Sequence, residues 1–301
     1  MDRLRILGLF VDTFFGWRER RAPVYAAAIA YSTLFSLAPL LLLSMNLASL
    51  FLHDVSVESR LVILIEREMG SEIAQLIREI LRTRIDFRPN SGAALLSVGF
   101  LLFGASGVFR QLRGALNAMW HIAVPPTQLS RSLLRQVRSF LISVVAALLL
   151  GMTPIALLFF SAVVASLPLQ FLSEFYPVDW LATLVRVLAS PILFFALFAI
   201  VLRYLPQARA PWRAILPGAA VSAIGYWLGS AILGYYIQNA AIRSIYGAAG
   251  SALALLIWAY YSAFIFLYGA KFTYSVAEAY HLPIVPHSGA AFVHFDFEFD
   301  S

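Results

Sequence analysis

Cysteine is absent from the 301 residues, which excludes disulfides, thiol nucleophiles and thiolate metal sites. Charge is scarce as well: Asp, Glu, Lys and Arg make up 13% of the chain, against roughly 25% in soluble domains. Lysine is nearly missing, since 21 of the 22 cationic residues are Arg and Lys271 is the single Lys. No GxxxxGK[ST] stretch occurs, which removes nucleotide hydrolysis through a phosphate-cradling loop. The five histidines, His53, His121, His281, His287 and His294, show neither HxxxH nor HExxH spacing. No metal site, cofactor site or catalytic residue is therefore readable, and the chain is not expected to be an enzyme. A cleavable signal peptide is not expected either, because the apolar part of 4–15 is interrupted by Asp12 and followed by basic residues.

What is present is apolar length. Hydrophobic residues reach 61% and mean hydropathy is +0.80, which places the chain among polytopic membrane proteins, all-α in class. The net charge of +6 is then first a topology signal, and nucleic acid is not an expected partner. Residues Tyr25 to Leu52 contain no charged side chain in 28 positions, longer as a helix than the ~30 Å hydrocarbon core. Small residues Ala26, Ala27, Ala28 and Ala30 and hydroxyls at Tyr31, Ser32, Thr33, Ser36 and Ser44 mark this span as one built to pack against others. Pro39 near its middle predicts a kink.

Six spans are expected, at about 25–52, 93–113, 140–167, 179–202, 214–237 and 246–272, within a membrane domain of 23–280. Residues 1–22 form a cytoplasmic interfacial segment and 281–301 a cytoplasmic tail. Apolar residues at helical spacing, including Leu4, Leu7, Val11, Phe14 and Phe15, allow a helix in 1–21, but the preferred reading is a basic retention flank. The loop 53–90 is charged yet periodic. After a break at Gly70 and Ser71, Ile73, Leu76, Ile77 and Ile80 form one apolar stripe, so amphipathic helices there should rest on the membrane or cap the bundle. Mid-span Pro154 and Pro191 repeat the kink signal of Pro39. Gly225 and Gly229 have GxxxG spacing, read as internal packing rather than dimerisation. Homo-oligomers are left without support. In the tail, Val293, Phe295, Phe297 and Phe299 alternate with polar residues; disorder or a surface position is preferred over strand addition to a partner.

Eleven Arg lie in the N-terminal segment and the loops after spans two and four, and Arg110, Arg113 and Lys271 at the adjoining span ends bring the number on that side to fourteen, against one in the two short opposite loops. The positive-inside rule puts both termini in the cytoplasm. The 53–90 loop, with six Arg on the outside, runs counter to that assignment.

Three motifs carry a family likeness: AAAIAYSTLFSLAPLLLL at 26–43, RYLP at 203–206 and YGAAGSALALLIWAYYSAFIFLYGAKFT at 246–273. Together they resemble the BrkB/YihY family over about residues 20–280. The resemblance implies six transmembrane helices in a bacterial inner membrane, with transport the usual suspicion and an older description as a ribonuclease disfavoured here. Tyr31, Pro39, Arg203, Pro206, Gly247, Gly250, Trp258 and Gly269 match emphasised positions of the family pattern. Lys271 departs from it, standing where the resemblance leads one to expect an acidic residue.

The function these residues support is movement of a lipid or other anionic amphiphile in envelope homeostasis, without ATP hydrolysis. The candidate path residues are Arg186, an embedded cation that either faces the path or snorkels outward, with Tyr31, Ser36, Pro39, Pro154, Pro191 and Tyr260. Lys271 and Arg110, near the cytoplasmic boundary, are expected to snorkel. Membrane lipids are the expected partners. The alternative is a non-transporting scaffold whose 53–90 loop and tail dock envelope proteins.

Overall fold

The computed structural model describes residues 3–51, 69–82, 107–123, 179–239, 249–287 and 291–292, with single helical positions at 59, 62, 63, 65 and 66. Helices dominate. In chain order they are α1 (Arg3–Glu19), α2 (Ala22–Phe51), α3 (Ser71–Arg82), α4 (107–119), α5 (Asp179–Tyr204), α6 (Trp212–Asn239) and α7 (Ala249–Ala279). Four two-residue strands accompany them: β1 (Ile122–Ala123), β2 (Ala208–Arg209), β3 (Val285–Pro286) and β4 (Ala291–Phe292).

The longest described helix is α7, 31 residues without a proline, or about 46 Å. It packs against α6, α2, α1 and α3, while α5 packs on α6. Among the described residues, α7 and the Trp212–Leu233 part of α6 are long and apolar enough to cross a membrane. Helices α2 and α5 fall on the expected first and fourth spans and run unbroken through Pro39 and Pro191. The expected third span and most of the second lie outside the described residues, as do Pro154 and Gly247.

Small residues bring α6 and α7 together. Gly218, Ser222, Gly225 and Gly229 form one stripe on α6. A Cβ at Gly218 would lie 2.6 Å from the Gly269 carbonyl oxygen, and one at Gly269 equally close to that of Gly218. The Tyr261 hydroxyl donates to the Gly225 carbonyl at 3.0 Å, and its ring fills the space above Gly229. The Gly225 and Gly229 pair thus serves internal packing, as its spacing predicts. Aromatic contacts extend the seam: Phe194 meets Tyr226 at 4.3 Å, Tyr226 meets Trp258 edge-on at 6.1 Å, and Phe198 meets Phe266 at 5.2 Å. The outward faces of α5 and α6 carry Ile192, Ile200, Ile224, Trp227, Leu228 and Ile232 exposed, the apolar surface that lipid would cover.

One end of α7 is capped by α3. Gly70, at φ 93°, makes the break before Ser71, and Ile73, Ala74, Ile77 and Leu81 are buried with Ala254 and Leu255 of α7. Leu76 and Ile80 pack against the same cluster. The predicted stripe is therefore the capping face, and its partner is the bundle itself.

The other end collects four segments distant in sequence. Helix α1 is an ordered helix rather than a bare basic flank, with Phe10 against Phe272 at 4.7 Å and Trp17 edge-on to Phe264 at 4.3 Å. The Tyr268 hydroxyl donates to the Phe10 carbonyl at 3.1 Å. The Asn117 amide donates to Gln207 at 2.8 Å, and the Gln207 N–H donates back to the Asn117 carbonyl oxygen at 2.9 Å. Strand β1 pairs antiparallel with β4, and β2 with β3. Part of the tail, at 285–287 and 291–292, therefore adds short strands to its own chain, while the Phe-alternating residues 293–299 lie outside the described residues.

Candidate functional site

At this end, side chains from three helices meet around the imidazole of His121. Two of them follow helix C-termini directly. Arg20 comes one residue after α1, its N–H donating to the Gly16 carbonyl at 3.2 Å, and His121 comes two residues after α4, its N–H donating to that of Ala118 at 3.3 Å. Both helices aim their partially negative ends at the cluster, which favours cations there. Arg21 at φ 53° and His121 at φ 59° adopt the left-handed conformation without being glycine. Two such residues around one cavity mark a place where backbone strain is held by its surroundings.

The third helix supplies Lys271. Its side chain does not snorkel: it is 6% exposed and passes over Gly16, where a Cβ would sit 2.7 Å from Lys271 Cε. Lys271 Nζ is 3.1 Å from His121 Nε2, and Arg20 Nη2 is 2.7 Å from His121 Nδ1. The Tyr274 ring holds both partners, with the imidazole stacked on it at 4.6 Å and 5° and Lys271 Nζ 4.5 Å from its centroid. Trp120, fully buried, donates from Nε1 to the Ala270 carbonyl at 2.9 Å. That bond fixes the end of α4 one residue from Lys271 along α7. The carboxylates of Glu278 and Glu19 and the Arg20 cation act electrostatically on Lys271.

Beside the cluster lies a cavity of about 660 Å³ lined by Glu19, Arg20, Arg21, Tyr25, His121 and strand β1, among others. That volume lies within the range of about 300–1,000 Å³ typical of ligand sites. Among the described residues the cavity wall carries two cations, Arg20 and Arg21, and one carboxylate, Glu19, with Lys271 behind His121. The arrangement can bind an anion.

Of the residues expected from sequence to line a path, Tyr31, Ser36, Pro191 and Tyr260 have described side chains. Tyr31 is exposed on α2 and packs at a tilt against Phe35, ring centroids 4.7 Å apart. Ser36 is buried facing Gly107 of α4. Tyr260 is exposed on α7 near Phe264. Pro191 is an interior residue of α5, and Arg186 and Pro39 lie on described helices with side chains outside the described set. Among the described side chains, Tyr31, Ser36, Pro191 and Tyr260 are not part of the cavity wall. The motif positions are structural in their contacts. Arg203 lies 5.6 Å from the Trp212 ring and donates to the Ala210 carbonyl, Pro206 and Gly250 are buried, Trp258 meets Tyr226, and Gly269 makes the α6–α7 crossing. Arg20 and His121 were not singled out by the sequence. The available signal was Lys271, a solitary lysine on the last apolar helix, at the position departing from the family pattern.

Comparison with known proteins accounts for most of the chain. The family model described as "Virulence factor BrkB" matches residues 13–290. A UPF0761 membrane protein of Alteromonas mediterranea is 24% identical across 94% of this chain and 91% of its own length. Those of Azotobacter vinelandii and Teredinibacter turnerae are 28% and 26% identical over 87% and 89% of this chain, which spans only 63% and 60% of theirs. These names state a membrane protein and no reaction. No solved structure matches.

Proposed function

The chain belongs to the BrkB family of membrane proteins, and on that premise we propose that it moves a lipid or similar anionic amphiphile across or out of its membrane without hydrolysing nucleotide. The reading further places it in a bacterial inner membrane with both termini cytoplasmic. The observation that carries it is the Arg20–His121–Lys271 cluster, whose lysine projects from α7, the longest described apolar helix, beside a cavity of headgroup size. A cation as buried as Lys271 is expensive next to lipid and marks a functional position by default. The cavity offers charge where an amphiphile's head would sit, while the exposed apolar faces of α5 and α6 suit its tails. Arg20, Arg21, Arg203, Arg209 and Lys271 gather at this end, which supports a common cytoplasmic side. The scaffold alternative is weaker because the apolar stripe of α3 is occupied by α7.

Reconstituted vesicles test the proposal. Labelled anionic phospholipid should cross faster with wild-type protein than in empty vesicles, and Lys271→Met should abolish most of the gain. Movement equal to the empty control, with the protein shown to be folded, would remove the role. A parallel Arg186→Ala variant asks whether the embedded arginine also contributes.

A further inference from the structure

The chain leaves α7 through a reversal built without glycine. His281 adopts φ 51°, its N–H donates to the Glu278 carbonyl at 3.1 Å, and the Leu282 N–H reaches the Ala277 carbonyl at 2.8 Å. Leu282 then packs against the cluster of Ala214, Phe272, Val276 and Ala277, the apolar contact that accompanies helix stops of this kind. The tail so directed is fastened at two places. At the first, β3 pairs with β2, Pro286 opposite Ala208 and Val285 opposite Arg209. The His287 N–H donates to the Gln207 backbone carbonyl at 2.9 Å, and Arg209 Nε donates to His287 Nε2 at 3.1 Å. Ile284 adds packing against the apolar core from the same stretch. At the second, four residues beyond His287, β4 pairs with β1, Ala291 opposite Ala123 and Phe292 opposite Ile122. Both β4 residues are exposed, so burial adds little to this fastening. The weaker attachment is the one that bears on the cavity, because Ile122 and Ala123 belong to its wall.

We propose that residues 285–292 are a strap: β3 stays fixed on β2 while β4 leaves β1, and its departure frees Ile122 and Ala123 to open that side of the cavity. Helix α4 keeps its place in the open state. Asn117 is held by both the side chain and the N–H of Gln207, and Trp120 by the Ala270 carbonyl, so movement is confined to the residues that follow. The strap acts on whatever the cavity admits, and its operation does not depend on the transbilayer movement of lipid.

A chain without cysteine makes the test direct. In full-length protein held in phosphatidylcholine nanodiscs, a lone Ala118→Cys in the cavity wall is modified by a water-soluble maleimide at a rate set by opening. Ending the chain after His287 keeps β3 and removes β4, and the rate should rise about tenfold or more, as loss of one or two ladder hydrogen bonds predicts. Ala219→Cys, fully buried on α6, should stay unreactive in the same shortened chain and so report that it is folded. If it does not, Ala291→Pro with Phe292→Pro in the whole chain replaces the truncation, since the pair removes both β4 amides. A lock gives the opposite reading. Partners on paired antiparallel strands lie within disulfide reach, so Ala123→Cys with Ala291→Cys should cross-link under mild oxidant and slow amide exchange across 114–123 relative to the reduced protein. Equal Ala118→Cys rates with and without β4 while Ala219→Cys stays protected would overturn the strap, as would a lock that fails to form or leaves exchange unchanged.

Discussion

Replacing Gly269 with Ala adds one methyl group where α6 and α7 cross. Its carbon would lie 2.6 Å from the Gly218 carbonyl oxygen and inside contact distance of Ser222 Oγ. The hydroxyl can rotate, but the backbone carbonyl of Gly218 belongs to a helix and accepts from Ser222 Oγ at 3.0 Å. Ordinary contact therefore requires the helices to separate by about 0.7 Å, and a gap of that order forfeits a quarter to a half of each affected dispersion contact. Overpacking of this kind costs roughly 1–3 kcal/mol. Alanine returns ~1 kcal/mol of helix propensity, so the net loss should be about 1–2 kcal/mol. In a membrane the loss is not offset by hydrophobic association, because lipid tails are as apolar as the helix faces. Reversible unfolding in mixed detergent micelles measures it, with Gly8→Ala on α1 as the control, since nothing lies within 4 Å of a Cβ there. The control should be neutral or slightly more stable. A Gly269→Ala variant that gains stability alongside Gly8→Ala would refute the close crossing.

Two further substitutions probe the ends of the bundle. Ile77→Ala, in the fully buried face of α3, should destabilise by about 2–4 kcal/mol, whereas exposed Ile63→Ala should change stability by less than about 0.5 kcal/mol; equal effects in the same unfolding assay would contradict the capping role of α3. Gly16→Ala places a carbon 2.7 Å from Lys271 Cε, at the flexible end of a side chain. Stability should fall by less than about 1 kcal/mol, but the Lys271 side-chain amine signal of ¹⁵N-lysine protein should shift and anionic-lipid binding weaken, and an unchanged signal would mean that Gly16 does not shape the site.

Local regularities were legible in the sequence because they depend on neighbours a few residues apart. The Gly70 break and the Ile73, Leu76, Ile77, Ile80 stripe needed only helical periodicity, and the Gly225–Gly229 spacing needed only knowledge that small residues admit a second backbone. The long apolar runs at 214–237 and 246–272 likewise announced α6 and α7. The cationic site needed tertiary information. Arg20 and His121 are separated by 101 residues, and His121 and Lys271 by 150; each reads separately as an ordinary boundary cation. Snorkelling was the reasonable expectation for Lys271 until Gly16, Trp120 and Tyr274 were seen to enclose it. The tail pairings rest on two residues per strand, too short for periodicity to announce. Arg186 was conspicuous because it interrupts an apolar run, yet its surroundings depend on packing that no spacing in the sequence encodes.

The central claim is that the charge at Lys271 serves an anionic amphiphile. Its most direct test compares transbilayer rates of phosphatidylglycerol and phosphatidylcholine probes in vesicles holding wild-type, Lys271→Arg or Lys271→Met protein. Wild type should accelerate the anionic probe above empty vesicles and above the zwitterionic one, with partial retention in Lys271→Arg and loss in folded Lys271→Met. Equal rates for both probes, or a Lys271→Met variant as active as wild type, would contradict the account.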